Sequence, residues 1–292
     1  MGWRHFIMSL SSLEPKTVEK ILVDHGAIAI TYNDGRDDPI LEPGPGETPL
    51  WQHTEVKALF DQETDLSNLT QSLMRSLQLT TAPQHRFEDL QDANWESKWI
   101  KDFKPMQFGK RLWVIPPDMT SPDKRAIVVR MSPGLAFGTG THPTTALCLE
   151  WLESIPLKDK RLYDYGCGSG ILGIAALKLG AKEVVAIDTD QQALTSTKLN
   201  AAKNSVTDRV CIRTDLSSET VSCDIIIANI LARTLIDNAS LICQKLKATG
   251  QIGLSGILPN QVDDVINAYC EYVNFDDPHM RDKWVLLTGL RK

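Results

Sequence analysis

Short runs of alternating apolar and polar residues, separated by two helical patterns, fill the first ninety residues of the chain. Alternation with a period of two is typical of a strand with one buried face, and apolar residues three or four positions apart are typical of an amphipathic helix. The patterns predict strands at Trp3–Met8, Ala27–Tyr32, Val56–Phe60 and His85–Leu90, and helices at Pro15–His25 and Leu66–Leu77. This βαββαβ order indicates a small ferredoxin-like α+β domain.

Longer apolar runs alternate with helical patterns over the remainder of the chain. The run Cys223–Ala228 is nearly all apolar, as expected of a parallel strand that is covered on both faces. Strands that alternate with helices predict a doubly wound, mostly parallel, Rossmann-like α/β sheet. We expect Trp284–Leu290 to be an antiparallel edge strand of this sheet. The runs Leu112–Pro117 and Ala126–Met131 are predicted to form a hairpin that leads into it.

An aromatic stripe marks the predicted domain boundary. Trp95, Trp99 and Phe103 recur every four residues and therefore share one face of a short helix. We expect residues 93–104 to form a linker helix between a leading domain, residues 1–92, and a second domain, residues 105–292. The stripe fits packing between domains or a surface for a bound partner. Ferredoxin-like modules often bind or dock, which favours a substrate-recognition role for the leading domain over a purely structural one.

A glycine-rich turn follows the predicted strand that ends at Tyr165. Gly166, Gly168 and Gly170 leave no side chain where a ligand must lie close to the backbone, and the next helix points free N–H groups at this turn. This arrangement predicts a site for a nucleotide-like ligand. A dinucleotide-binding loop would read G-x-G-x-x-G, but Ile171 occupies the position of its third glycine.

Three polar side chains are predicted near this loop. Asp188 ends the next strand, where its carboxylate can accept both hydroxyls of a ribose. Asp164 adds negative charge beside the loop and suits a cationic ligand better than a pyrophosphate. Asn229 ends another strand at the same edge of the sheet, where ligands bind in open α/β folds, although it could also cap the following helix. S-adenosylmethionine, with its ribose, sulfonium and amino group, fits this set.

A second loop, residues 133–145, is dense in Gly and Thr and precedes a predicted helix at Ala146–Glu153. Thr141 or Thr144 could cap this helix, but capping accounts for only one of the four threonines. His142 fits either a local hydrogen-bond partner or a catalytic group. We retain His142 and Asn229 as candidates for orienting the cofactor or an acceptor amine. The sequence identifies no general base, and we expect no metal.

Composition narrows the class of protein. The 31 Lys and Arg against 37 Asp and Glu give a formal charge of −6, which argues against a general nucleic-acid binder and is compatible with a basic protein partner. The six cysteines form no C-x-x-C pair, so we expect reduced core residues. Neither a signal peptide nor an apolar run long enough to span a bilayer is evident, which favours a cytoplasmic protein. We expect a monomer.

Three segments, Phe137–Thr145, Asp164–Gly170 and Asn229–Ala232, together resemble the bacterial methyltransferases of large-subunit ribosomal protein eleven. The similarity covers nearly the whole chain. It implies cofactor contacts at Thr145, Gly166, Asp188 and Asn229; we add Asp164 and Gly168 because they belong to the same loop.

The resemblance also implies an activity. The leading domain would recognise the ribosomal protein, and the second domain would transfer methyl groups from S-adenosylmethionine to lysine ε-amines and the N-terminal α-amine, up to trimethylation. We expect in-line displacement by a deprotonated amine. Tyr163 and Tyr165 depart from the aliphatic residues expected beside Asp164.

Three alternatives remain open at the level of sequence. A methyltransferase that acts on RNA or a small molecule is disfavoured by the acidic net charge. An NAD-dependent dehydrogenase is disfavoured by the missing third glycine of its loop. A non-catalytic protein that retains a cofactor pocket is disfavoured by the complete set of predicted ligand residues.

Overall fold

The chain folds into two compact units, residues 1–95 and 96–292. The computed structural model describes residues 2–11, 13–36, 49–90, 104–121, 123–131 and 140–292. The aromatic residues of the predicted linker helix, and residues 133–139 of the Gly/Thr loop, lie outside this described part.

The leading unit has the predicted order of elements. Its described strands and helices are β1 (Trp3–Ser9), α1 (Pro15–Asp24), β2 (Ala29–Asp34), β3 (Thr54–Asp61), α2 (Leu69–Ser76) and β4 (His85–Leu90). The strands form an antiparallel sheet in the order β2-β3-β1-β4, which confirms the ferredoxin-like prediction.

Alternation along the strands places one set of side chains against the two helices. Phe6 of β1 lies between Ala58 of β3 and Phe87 of β4 in the register of the sheet. It packs in a core that includes Val18 of α1 and Leu73 of α2, all fully buried. The leading unit therefore has a hydrophobic core of its own.

The described elements of the second unit are more numerous. The strands are β5 (Met106–Phe108), β6 (Leu112–Ile115), β7 (Ile127–Arg130), β8 (Arg161–Tyr165), β9 (Glu183–Ile187), β10 (Val210–Arg213), β11 (Cys223–Asn229), β12 (Leu246–Ile257), β13 (Val273–Phe275), β14 (His279–Arg281) and β15 (Trp284–Arg291). The α-helices are α3 (Pro143–Ser154), α4 (Ile171–Lys178), α5 (Gln191–Lys203), α6 (Ala232–Asp237), α7 (Ala239–Lys245) and α8 (Val262–Tyr269). Short 3₁₀ helices span Thr207–Arg209 and Pro259–Gln261.

The large sheet of this unit is doubly wound and mostly parallel, as predicted. Its strand order is β10-β9-β8-β11-β12-β15-β13, and neighbours are parallel from β10 to β12. β15 runs antiparallel to β12, as expected, but it is not the edge strand. The short strands β13 and β14 pair with β15 and cover its outer side.

Side chains from the sheet enter two hydrophobic cores. Leu162 of β8 packs with residues of α3 and α4, and Tyr163, the next residue, packs with residues of α6 and α7 in the other core. Successive residues of a strand point to opposite faces, so helices cover both faces of the sheet. The described cysteines are free, and Cys148, Cys167, Cys223 and Cys243 are buried.

A small three-stranded sheet corrects one prediction. β5 and β6 are antiparallel, but β6 and β7 are parallel, with Leu112 opposite Ile127. The two runs predicted as a hairpin therefore do not form one. The segment between β6 and β7 is long enough to carry the chain back to the start of β6, whereas a hairpin requires a tight turn.

None of the described helices is long and apolar enough to cross a membrane.

Candidate functional site

A cavity of about 530 Å³ opens beyond the carboxyl ends of the parallel strands. This volume lies in the range of sites that bind cofactors and other small molecules. Of the residues predicted from sequence, Thr145, Gly166, Gly168, Asp188 and Asn229 line the cavity. His142, the candidate for orienting cofactor or amine, lines it as well.

The glycine loop between β8 and α4 has a backbone that only glycine adopts without strain. Gly166, Gly168 and Gly170 have φ angles of 75°, 54° and 78°. A Cβ added to Gly166 would lie 2.2 Å from Cγ2 of Ile230, which is closer than two carbon atoms can approach. The glycines therefore allow the loop to pass close to its neighbours and to expose its backbone to the cavity.

Side chains outside the loop fix its position. The Asp188 carboxylate accepts the N–H of Gly168 at 2.9 Å. From α5, the Thr197 hydroxyl donates to the Gly168 carbonyl at 3.0 Å, and the Asn200 amide donates to the Ser169 carbonyl at 2.9 Å. These bonds hold the loop in place from the residue after β9 and from the body of α5.

Asp188 lies at the end of β9, as predicted, and its carboxylate is partly engaged. Its Oδ2 accepts from Gly168, and its Oδ1 accepts the N–H of Asp190 at 3.0 Å. A carboxylate has about four acceptor positions, so two remain for hydroxyl donors in the cavity. Two free acceptor positions match the two hydroxyls of a ribose diol.

The Asp164 carboxyl group lies behind the glycine loop, against α4, and not in the cavity where a cationic ligand would bind. It is 1% exposed, and its Oδ2 accepts the N–H of Gly173 in α4 at 2.9 Å. Burial, together with the charge of Asp188, raises the pKa of Asp164 to about 7. Asp164 is not one of the residues that line the cavity, so its role here is to anchor the first turn of α4 behind the loop.

Thr145 and Asn229 both line the cavity and are hydrogen-bonded to each other. The Asn229 amide nitrogen donates to Oγ1 of Thr145 at 3.4 Å, a long hydrogen bond. Because the nitrogen is directed at Thr145, the Asn229 carbonyl oxygen is left as the acceptor for a ligand group. Thr145 is fully buried in the first turn of α3.

His142 caps α3, a role that the sequence analysis gave to Thr141 or Thr144. Its Nδ1 is 2.7 Å from Oγ1 of Thr144 and accepts the backbone N–H of Thr144 at 3.3 Å. Burial lowers the pKa of His142, which favours the neutral ring that can accept a hydrogen bond. Its ring centroid is 5.0 Å from that of Trp284, in an edge-to-face arrangement.

The sequence analysis missed several residues that line the cavity. Thr214, Asp215 and Leu216 follow β10, and Trp284 begins β15. The acid-after-strand signal that identified Asp188 also applies to Asp215. The position of Trp284 follows from topology, because the first residue of an antiparallel strand lies beside the carboxyl ends of its parallel neighbours.

Aligned with known proteins, the chain matches a family along its whole length. The family model described as ribosomal protein L11 methyltransferase (PrmA) matches residues 2–292. The chain belongs to this family. It is thus an S-adenosylmethionine-dependent methyltransferase, as the resemblance implied.

Individual ribosomal protein L11 methyltransferases are similar at full length. The enzyme from Shewanella denitrificans is 45% identical over 293 residues, covering 100% of both chains. That from Haemophilus influenzae strain PittEE is 44% identical, covering 100% of this chain and 99% of its own length. The crystal structure of ribosomal protein L11 methylase from Lactobacillus delbrueckii subsp. bulgaricus superposes with a TM-score of 0.61 at 33% identity, covering 65% of this chain and 100% of that one.

The residues of the cavity fit the cofactor of the ribosomal protein L11 methyltransferase family. The glycine loop provides a close backbone approach, and Asp188 has free acceptor positions for a ribose. Ile187 and Leu216 offer apolar surface for a flat ring. Among the described residues, no cluster of three or more His, Cys, Asp or Glu side chains could hold a metal ion.

Proposed function

We propose that this chain methylates amino groups of ribosomal protein L11 with S-adenosylmethionine bound in the cavity at the glycine loop. The observation that carries the proposal is the convergence of Gly166, Asp188 and Asn229 on one cavity in a chain that matches ribosomal protein L11 methyltransferases from end to end. The acceptors are lysine ε-amines and the N-terminal α-amine, each methylated up to three times.

The two sides of the cavity suit the two ends of the reaction. Asp188 and the backbone of Gly166 and Gly168 hold the nucleoside end of the cofactor. We assign Thr145 and Asn229, which are hydrogen-bonded to each other, to the positioning of the methyl group and the acceptor. When bound, S-adenosylmethionine supplies an electrophilic methyl carbon, which a neutral amine attacks in line with the departing sulfur.

The acceptor amine must lose a proton before it can react. A lysine ammonium has a reference pKa of about 10.4, and transfer from water to a less polar cavity lowers that pKa by disfavouring the charged form. In the first two transfers the Asn229 carbonyl oxygen accepts an N–H of the neutral amine and directs its lone pair; the dimethylated amine of the third transfer has no N–H to donate. The aromatic ring of Trp284, which lines the cavity, favours the positive charge that develops on the amine nitrogen as the methyl group is transferred.

The leading unit supports recognition of a basic protein. Residues 1–95 contain 7 Lys and Arg against 15 Asp and Glu, a formal charge of −8, and residues 96–292 therefore carry +2. Ribosomal proteins bind RNA and are commonly basic. We propose that the leading domain, residues 1–92, binds the ribosomal protein substrate and that residues 93–104 link it to the catalytic domain, residues 105–292.

Salt dependence tests this role of the leading unit. Charges on protein surfaces are screened over about 10 Å at 0.1 M salt and about 3 Å at 1 M. We expect the KM for ribosomal protein L11 to rise several-fold between 0.05 and 0.5 M KCl while the KM for S-adenosylmethionine changes by less than about twofold. A KM for the protein that is independent of salt contradicts electrostatic recognition.

The central experiment is transfer of labelled methyl groups to purified, unmodified ribosomal protein L11, followed by peptide mass spectrometry. Ribosomal protein L11 with an acetylated N-terminus serves as the matched acceptor, because it retains the lysines and lacks the α-amine. We expect label on lysine and terminal amines of the first substrate and on lysine alone in the second. Label on protein-free ribosomal RNA and none on the protein would refute the proposal in favour of an RNA methyltransferase.

The proposed substrate bears on location and assembly. A ribosomal protein in bacteria is made and assembled in the cytoplasm, so we place the enzyme there. We propose that it acts as a monomer, and its formal charge of −6 disfavours stable binding to nucleic acid.

A further inference from the structure

The connection between β10 and β11, residues 214–222, forms one wall of the cofactor cavity. Thr214, Asp215 and Leu216 line the cavity, and the rest of this wall loop turns back toward β11. Within the loop, the Asp215 carboxylate accepts the N–H of Ser217 at 2.9 Å, which sets the direction of the carboxylate. The wall keeps its shape only if the remainder of the loop is held.

Tyr163 holds the far end of the wall loop from the central strand β8. Its hydroxyl donates a short hydrogen bond to the carbonyl of Val221 and lies 3.4 Å from Oε2 of Glu219. The side chain is fully buried, and burial raises the pKa of Tyr163 to about 12, so the hydroxyl remains a donor at neutral pH. An aliphatic residue at this position would fill the core without making either bond.

Lys245 and Arg213 hold the middle of the loop from two other elements. The Lys245 ammonium, at the end of α7, donates to the carbonyl of Ser217 at 3.2 Å and, more closely, to the carbonyl of Glu219. The Arg213 guanidinium, at the end of β10, pairs with the Glu219 carboxylate at 2.6 Å. Three side chains that do not line the cavity thus converge on one short segment.

We propose that Tyr163 and Lys245 are positioning residues for the cofactor: their hydrogen bonds to the wall loop fix Asp215 and Leu216 at the cavity. The inference rests on the cofactor site proposed above. Tyr163 departs from the aliphatic pattern of its strand, and the inference gives it a role in ligand affinity rather than in packing alone. Since neither side chain lines the cavity, the effect is on binding and not on the chemical step.

The test measures the dissociation constant of S-adenosylhomocysteine by calorimetry for Tyr163→Phe and Lys245→Met in the full chain. Loss of one net hydrogen bond corresponds to about a three- to tenfold weaker affinity. We expect this increase in Kd for both variants, a matching rise in the KM for S-adenosylmethionine, and a kcat at saturation within about twofold of the parent. Hydrogen exchange should accelerate in peptides that cover residues 214–222.

Two control variants make the same chemical changes elsewhere. Tyr269 is also fully buried and donates to a backbone carbonyl, that of Leu235 at 2.9 Å, so Tyr269→Phe reports the loss of a buried hydroxyl alone. Lys247, two residues after Lys245, pairs with Asp224 at 3.0 Å, so Lys247→Met reports the loss of a nearby charge. Both controls should bind S-adenosylhomocysteine like the parent.

The possible outcomes separate this inference from the proposed function. If Asp188→Ala weakens binding and Tyr163→Phe and Lys245→Met do not, the positioning role is wrong and the cofactor site stands. If Asp188→Ala has no effect either, the cofactor site itself is misplaced. A loss of thermal stability in Tyr163→Phe without a change in Kd, or an equal change in Tyr269→Phe, also overturns the positioning role. If Tyr163→Phe does not fold, Lys245→Met alone decides.

Discussion

Asp188 offers the sharpest test of the cofactor site, because its carboxylate has two protein partners and two positions left for a ligand. The N–H groups of Gly168 and Asp190 occupy one acceptor position on each oxygen. The two remaining positions suit the vicinal hydroxyls of a ribose. Asp188→Ala removes both predicted ligand bonds and leaves the Gly168 N–H without its acceptor.

The magnitude follows from the kind of hydrogen bond that is lost. Bonds to a charged group contribute about 1.5–3 kcal/mol each, and water replaces part of this in the variant. We expect a total loss of about 1.5–3 kcal/mol, which corresponds to an increase in Kd of about ten- to 150-fold. The loss of the Gly168 bond should also lower the melting temperature.

Calorimetry with S-adenosylhomocysteine and its 2′,3′-dideoxy analogue separates the ribose contacts from the loop. The parent should bind the analogue weakly, because the analogue lacks the hydroxyls that the carboxylate accepts. Asp188→Ala lacks the carboxylate and should therefore bind both ligands with similar affinity. Asp190→Ala is the control: Asp190 caps α5 through the N–H of Gln192, so its loss removes one nearby charge and one helix cap. An analogue penalty that is equal in the parent and in Asp188→Ala would refute the ribose assignment.

Two further predictions concern the backbone and the buried acid. Gly166→Ala should abolish measurable cofactor binding, because the new Cβ lies 2.2 Å from Ile230 at a φ of +75°. Gly180→Ala is the control, at a φ of +116° with its nearest neighbour atom 3.8 Å away. It should leave the Kd unchanged and lower only the melting temperature. Asp164 has a folded-state pKa raised to about 7, above the unfolded value of about 3.9, so its contribution to stability is complete below pH 4 and is lost as the pH rises through 7. Denaturation from pH 4 to pH 8 should therefore show a steeper loss of the free energy of unfolding in the parent than in Asp164→Asn, and parallel curves would contradict the shift.

The predicted residues that line the cavity were identified from local chemistry. Gly166 and Gly168 were identified because a backbone at positive φ admits few residues other than glycine. Asp188 was identified because it follows a strand, and the carboxyl ends of parallel strands share one edge of the sheet. In both cases a few consecutive residues determine the conformation, so the sequence alone is sufficient.

The parts that sequence missed depend on contacts between distant segments. β6 and β7 are parallel because the chain returns to the start of β6 before β7 begins. The two apolar runs do not specify that return. Trp284 reaches the cavity because β15 is antiparallel to β12, and its neighbour His142 is more than a hundred residues away in sequence. His142 caps α3 in place of Thr141 or Thr144, and burial by its surroundings favours the neutral ring that accepts the Thr144 N–H.

Asp164 lies beside the glycine loop, as predicted, but its carboxyl group is directed at α4 and not into the cavity. On β8, alternation directs Leu162 and Asp164 to one face of the sheet and Tyr163 to the other. Asp164 therefore turns toward α4, where burial favours its protonated form, while Asp188 stays at the rim with acceptor positions to spare. The same alternation directs the Tyr163 hydroxyl toward the wall loop on the opposite face. β8 thus supports two sides of the cofactor cavity. The Asp164 carboxyl group lies under the glycine loop, and the Tyr163 hydroxyl lies under the wall loop. Neither group needs to touch the ligand.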